Sequence, residues 1–134
     1  MTRNIPKIES VMTPLVYSVD IDEAVETAED LMIEHGIRHL AVTDSDALVG
    51  IVSDRDIAFT PNAAEFGIRS KLTVREICSL DVYSAEVDET LDGILLTMSE
   101  RHLGATLVTR NGAIAGIFTT TDACRCYAAS LRGA

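Results

Sequence analysis

Tryptophan is absent from these 134 residues, and Tyr and Phe number three each. A core must therefore be built from aliphatic side chains, which the 47% hydrophobic content can supply. Cations are also scarce: 11 Lys and Arg stand against 21 Asp and Glu, for a net charge of −10. That balance argues against non-specific nucleic-acid binding and against anionic membrane surfaces, both of which favour a basic face. A phosphate-bearing small ligand stays open, because a few local cations decide that case. No apolar run approaches the ~20 residues of a membrane-spanning helix. The first residues, Met1-Thr2-Arg3-Asn4-Ile5-Pro6-Lys7, lack the apolar stretch of a secretion signal. Cys78, Cys124 and Cys126 are an odd number and poorly spread for a disulfide framework, so reduced thiols are expected. These absences predict a cytoplasmic protein with neither nucleic acid nor membrane as a partner.

Catalytic sets are missing as well. His35, His39 and His102 have no spacing that suggests a metal site or a catalytic pair. Cys124 and Cys126, two apart on a predicted helix, point in different directions and suit shared coordination poorly. No catalytic residue and no metal ligand is assigned, and an enzyme is not expected.

What the chain does have is an internal repeat. Gly50-Ile51-Val52-Ser53-Asp54-Arg55-Asp56 returns as Gly116-Ile117-Phe118-Thr119-Thr120-Thr121-Asp122, 66 residues later. The same offset pairs Val16-Tyr17-Ser18 with Val82-Tyr83-Ser84, Asp22-Glu23 with Asp88-Glu89, Met32 with Met98, and Val42-Thr43 with Val108-Thr109. No gap is needed from residue 11 to residue 56, which indicates a tandem duplication of one supersecondary unit. In each copy an apolar run ends in Ser/Thr-x-x-Asp, the form of a strand-to-helix junction. The hydroxyl caps the new helix and the acid sits in its first turn. Two readings stand side by side. The junction is a plain helix start, or its free N–H groups hold an anion while the carboxylate accepts hydrogen bonds from a ribose.

Residues 1–10 read as a polar lead-in with a short helix ending at Ser10. Pro14 forces extension, and Leu15 to Val19 is predicted as a strand. Asp22 is the predicted N-cap of a helix with Ala24, Val25, Ala28, Leu31 and Met32 on one face, ended by Gly36. Ile37 to Thr43 and Ala47 to Val52 form a hairpin about Asp44-Ser45-Asp46. Ser53 opens a helix through Ala58, limited by Pro61. Thr73-Val74-Arg75-Glu76 reads as a capping box. The second copy repeats the order: a strand from Val82 to Val87, a helix capped by Asp88, strands Leu103 to Thr109 and Ala113 to Phe118 about Asn111-Gly112, and a helix from Thr119. His102 replaces Gly36 at the helix end, and the tail from Tyr127 is predicted to fray. Each copy is thus strand–helix–strand–strand–helix. One copy cannot bury both faces of its sheet, so two packed together are expected.

These residues resemble a tandem pair of CBS domains, a Bateman module, named after cystathionine β-synthase. The resemblance rests on Val11-Met12-Thr13-Pro14, on His35-Gly36-Ile37-Arg38-His39-Leu40-Ala41-Val42, and on Leu48 to Asp56, with Leu103 to Thr109 and Ile114 to Asp122 in the second copy. It implies an α+β fold of two pseudo-symmetric β-α-β-β-α CBS repeats packed sheet to sheet. It frames the chain as one module: a first repeat over 8–60, a connector over 61–73 and a second repeat over 74–129. The family binds adenosine-containing ligands, including AMP, ADP, ATP, S-adenosylmethionine and NAD, in clefts between the repeats. Carried over by position, Asp56 and Asp122 would hold ribose hydroxyls, and Ser53 and Thr119 would contact ribose or phosphate. Thr13 and Val16, with Ser79 and Val82 in the second copy, would lie beside the base. Ile37, Ala41, Leu103 and Leu107 would form apolar walls, and Arg38, His39 and Arg55 would meet phosphate.

The sequence departs from the family pattern in places. Ala41 stands where many members carry Pro, and Cys78-Ser79-Leu80 replaces Met12-Thr13-Pro14. Gly104, Ala105 and Thr121 stand opposite Arg38, His39 and Arg55, so the second motif supplies no cation at those positions. Unequal sites are expected, with the Asp56 site favouring a charged tail and the Asp122 site weak or empty. The resemblance implies a regulatory sensor of adenine nucleotides, forming a homodimer and signalling through conformation or an effector protein. It implies no required cofactor, with AMP, ADP, ATP or S-adenosylmethionine as the regulatory ligand. The alternative is a ligand-free dimerisation or stress scaffold.

Overall fold

A computed structural model describes residues 4–15, 17–60 and 72–133. The chain divides into two compact units. Tyr17–Val82 forms the first-copy unit; Met1–Val16 joins Tyr83–Ala134 in the second-copy unit. Pro61 and Val16 fall outside the described residues, as does most of the connector.

In the first-copy unit, β2 (Ser18–Asp20) pairs parallel with β3 (His39–Asp44), which pairs antiparallel with β4 (Ala47–Ser53). Helices α1 (Val25–His35), α2 (Asp54–Ala58) and α3 (Val74–Ile77) complete it. In the second-copy unit the sheet runs β1 (Thr13–Pro14), β7 (Ala113–Thr119), β6 (Ala105–Arg110), β5 (Ser84–Glu86). Its helices are α4 (Leu91–Arg101) and α5 (Thr120–Leu131), preceded by a 3₁₀ turn at Ile8–Ser10.

The duplication is exact at the level of backbone pairing. Ser18 pairs with Ala41 and Ser84 with Leu107. His39 faces Ser53 and Ala105 faces Thr119. Even the β-bulge recurs, between Val42 and Thr43 and between Val108 and Thr109. The expected mixed α+β architecture is present in both copies.

Each copy is finished by the segment that precedes the other one. Thr13 pairs with Ile117 on β7, and Ser79 exchanges backbone hydrogen bonds with Ile51 on β4 at 2.9 and 3.0 Å. The stretch read as one strand, Leu15 to Val19, therefore crosses from one unit to the other. Leu15 is buried and donates to the Ala115 carbonyl at 3.3 Å, while the strand proper begins at Ser18.

The same segments explain why the helices start later than Asp22 and Asp88 predicted. The N-cap residues are Ala24 and Thr90, neither using its side chain. Backbone carbonyls fill that role, since Val25 N–H donates to Leu72 O at 3.0 Å and Leu91 N–H to Pro6 O at 2.9 Å. Asp22 instead accepts the Arg75 guanidinium at 3.1 Å. The final helix also differs from expectation: it continues past Tyr127 to Leu131, where Arg132 N–H closes it on Ala128 and Ala129.

Helix and hairpin ends follow the turn chemistry. Gly36 closes α1 at φ 63°, and His102 closes α4 at φ 55° in the same left-handed conformation. Ser45-Asp46 and Asn111-Gly112 have positive φ at both central positions, the twist that suits a two-residue hairpin.

The cores are mainly aliphatic, as expected from the composition, with Phe118 the aromatic exception among the fully buried residues described. In the first-copy unit Val25, Ala28 and Met32 of α1 pack with Leu40, Val42, Val52 and Ile57. In the second, Leu91, Ile94 and Met98 pack with Val108, Phe118 and Ile8. Thr106 stands where the first copy has Leu40. It is fully buried, and its hydroxyl has no partner among the described residues.

Candidate functional site

The two Ser/Thr-x-x-Asp junctions form where β4 and β7 run into helices. Ser53 keeps extended geometry (φ −115°, ψ 164°) and accepts the Asp56 N–H at 3.2 Å. Asp56 Oδ2 accepts in return from the Ser53 N–H at 2.8 Å and the Ser53 hydroxyl at 3.0 Å. This reciprocal pairing is a capping box. Thr119 and Asp122 repeat it, with Asp122 Oδ2 accepting from the Thr119 N–H at 2.9 Å and its hydroxyl at 3.3 Å. Backbone bonds brace both junctions: Asp54 N–H to Arg38 O at 2.9 Å, and Thr120 N–H to Gly104 O at 3.1 Å.

The glycine of each motif has a separate purpose. A methyl group on Gly50 would lie 2.5 Å from the Ser79 carbonyl oxygen, and one on Gly116 would lie 2.7 Å from the Thr13 carbonyl oxygen. Only the bare backbone lets the incoming segment cross the strand beside the junction.

Beyond the shared frame the two carboxylates differ. Asp56 is half-buried and lines a hollow of about 370 Å³ with Phe59, Thr60, Leu72, Glu76 and Ile77. Asp122 is only 3% exposed. Its Oδ1 accepts the Thr13 hydroxyl at 3.2 Å and Arg125 Nη2 at 2.7 Å. Burial pushes the Asp122 carboxyl upward. The hydrogen bonds from the Thr119 backbone, Arg125 and Thr13 outweigh that and hold it below the ordinary carboxylate value.

Several predicted site residues are gathered at these junctions. Ser79 sits over Gly50, and Cys78 beside it is half-buried, which raises its thiol above the ordinary value, with Asp56 nearby adding to the effect. Ala41 is buried opposite Ile51, and His39 is half-buried opposite Ser53. Ile37 and exposed Arg38 line a second hollow, about 320 Å³, with Met32, Ile57, Glu29 and Asp54. Arg55 is exposed on α2, and Val82 is half-buried at the end of the first-copy unit. In the second copy Leu107 is buried opposite Ile117, and Leu103 packs against the core. Val16 lies outside the described residues.

Thr13 is the notable placement. Its sequence register belongs to the first copy, yet it stands on β1 against Asp122 of the second. Arg125 and Phe59 were missed altogether. They are equivalent positions, each three residues past its aspartate, and the helical i,i+3 spacing was the available signal. The second copy does lack cations opposite Arg38, His39 and Arg55, but Arg125 supplies one from the next turn of α5. Arg101 lies with its guanidinium 5.6 Å from the centre of the Tyr83 ring.

Known proteins share this fold. The chain is 25% identical to the solved CBS domain pair of protein MJ0100 in complex with 5′-methylthioadenosine and S-adenosyl-L-methionine, with a TM-score of 0.75 over 95% of this chain and 99% of that one. It is 32% identical over 119 residues to the uncharacterized protein YlbB of Bacillus subtilis, covering 87% of this chain and 78% of that protein. It is 30% identical over 106 residues to L-aspartate semialdehyde sulfurtransferase of Methanocaldococcus jannaschii, covering 78% of this chain but 20% of that enzyme's length. The profile of the CBS domain matches twice, over residues 8–60 and 74–129, once for each copy of the motif. The chain belongs to the CBS domain family and carries a tandem pair of its repeats.

Proposed function

We propose that the protein is a regulatory sensor of adenosine-containing ligands, with AMP, ADP, ATP and S-adenosylmethionine as the candidates. The observation that carries this reading is the repeated junction. Twice, a carboxylate is fixed at a helix start beside a hydroxyl, at the edge of an apolar wall. A carboxylate so held accepts hydrogen bonds from vicinal ribose hydroxyls, and helix N–H groups favour phosphate. Asp56 and Asp122 take the ribose; Ser53 and Thr119 lie at ribose or phosphate. Thr13, Ser79 and Val82 border the base, with Ile37, Ala41, Leu103 and Leu107 as apolar walls. Arg38, His39 and Arg55 meet phosphate. Binding acts by favouring one conformation of the protein, or of a homodimer, and the output passes to an effector protein. The chemistry of the site is recognition, not turnover.

The test is thermal unfolding of the purified chain with each candidate ligand, beside Asp56→Ala and Asp122→Ala. A ligand at a hundredfold excess over its Kd stabilises the folded state by about 2.7 kcal/mol, raising the Tm by roughly 10 °C in a chain of this size. A rise with one adenosine compound, diminished in the aspartate variants, supports the reading. A flat Tm across the whole set overturns it and favours the scaffold alternative.

A further inference from the structure

Asp122 already has partners on both oxygens, and they are not equally replaceable. Oδ2 is tied to the Thr119 N–H and hydroxyl, which hold the first turn of α5. Oδ1 takes Thr13, whose backbone is fixed in β1, and Arg125, whose side chain is 61% exposed on a flexible stem. A ribose hydroxyl arriving at this carboxylate meets one mobile occupant, the Arg125 guanidinium. The equivalent position in the first copy is Phe59, 85% exposed, an uncharged side chain that cannot pair with Asp56 as Arg125 pairs with Asp122.

We infer that Arg125 makes the Asp122 site selective for phosphorylated nucleosides over bare ones. The argument follows from charge balance. A ligand that takes Oδ1 separates Arg125 from its counter-charge. The guanidinium remains tethered within a side chain's length of the ligand. Adenosine offers it nothing in exchange, so the lost ion pair weakens binding. A 5′-phosphate on the same ribose offers a planar cation its preferred anion, through charge-assisted hydrogen bonds. Arg125 thus acts as a placeholder on Asp122 in the free protein and as the phosphate partner in the complex. This inference rests on the adenosine reading proposed above.

The experiment measures Kd for adenosine and for AMP by calorimetry on the full chain, in an Asp56→Asn background that isolates the Asp122 site. Arg125→Ala and Arg125→Gln are compared with Arg125 intact, and circular dichroism checks that each variant is folded. With Arg125 present, AMP is expected to bind about tenfold tighter than adenosine, the low end for a charge-assisted contact. Removing the guanidinium should move the two ligands in opposite directions, AMP weaker and adenosine tighter, until they differ by less than about twofold. A merely structural role would weaken both together. An unchanged ratio, or a parallel loss, overturns the role of Arg125 while leaving the adenosine reading intact. Binding of neither ligand, with Asp56 either native or substituted, overturns the inference; the adenosine reading falls with it only if ADP, ATP and S-adenosylmethionine leave the Tm flat as well.

Discussion

Asp56 and Asp122 occupy matching points of a duplicated backbone and have different surroundings. One is half-buried beside an exposed aromatic ring, and its Oδ2 accepts the Ser53 N–H and hydroxyl. The other is buried and has both oxygens engaged, one of them by a cation. Around them the main chain is the same: equivalent strand registers, equivalent bulges, equivalent bonds from the helix start back to the loop before β3 or β6. Main-chain pairing constrains the frame, because an unpaired buried N–H or C=O is expensive wherever it occurs. Side chains that reach off the frame escape that constraint. Divergence has therefore collected at Phe59 and Arg125, and at Leu40 and Thr106.

The largest expected effect tests the shared part. Gly50→Ala would drive a methyl group to 2.5 Å from the Ser79 carbonyl oxygen, and Gly116→Ala one to 2.7 Å from that of Thr13. Neither neighbour is a flexible side-chain end, so backbone must shift. Each substitution is expected to destabilise by about 2–3 kcal/mol, read as a lower urea midpoint at unchanged slope. A loss under about 0.5 kcal/mol in either copy would show that the close crossing is not a constraint there.

Breaking the unlike part comes next. Asp122→Ala strips the acceptor from Thr119, Thr13 and Arg125 together, at an expected cost of about 2–3 kcal/mol. Asp56→Ala removes one half of a capping box, at about 1 kcal/mol. Equal losses would mean that Arg125 and Thr13 add nothing to Asp122. Acid titration sharpens the point. The folded Asp122 carboxyl lies below its ordinary value of about 3.9. Its stabilisation is complete above that value and is lost as pH falls through the lower, folded one. Wild type should therefore lose stability relative to Asp122→Asn below about pH 4; parallel acid curves would contradict this.

The same contrast marks what the sequence made legible. Both hairpins, both capping boxes and the strand-to-helix junctions were readable, because each is set by residues within four positions of one another. The N-termini of α1 and α4 were misplaced for the opposite reason: their caps are carbonyls of Leu72 and Pro6, distant in sequence and silent in side-chain chemistry. Thr13 was placed with its own copy because the repeat offset says so, whereas the fold hands each lead-in segment to the other copy. Arg125 has Phe59 as its counterpart at the 66-residue offset, so the repeat itself carries no signal for a cation there.

Thr106 and Leu40 give the smallest test and the most direct one. Both are fully buried on equivalent strands and face helix-covered cores. The Thr106 hydroxyl was desolvated on folding without gaining a protein partner among the described residues, which costs more than a methyl group in that place would. Thr106→Val keeps the shape and removes the polar atom, so it should stabilise by about 1 kcal/mol. Leu40→Thr, the reverse exchange in the first copy, adds an unpaired hydroxyl and a cavity and should destabilise by more than that gain. If Thr106→Val instead destabilised the protein, the hydroxyl would have a partner in solution, a buried water being the natural one. The two cores would then differ by a bound solvent molecule and not by an unmet hydrogen bond.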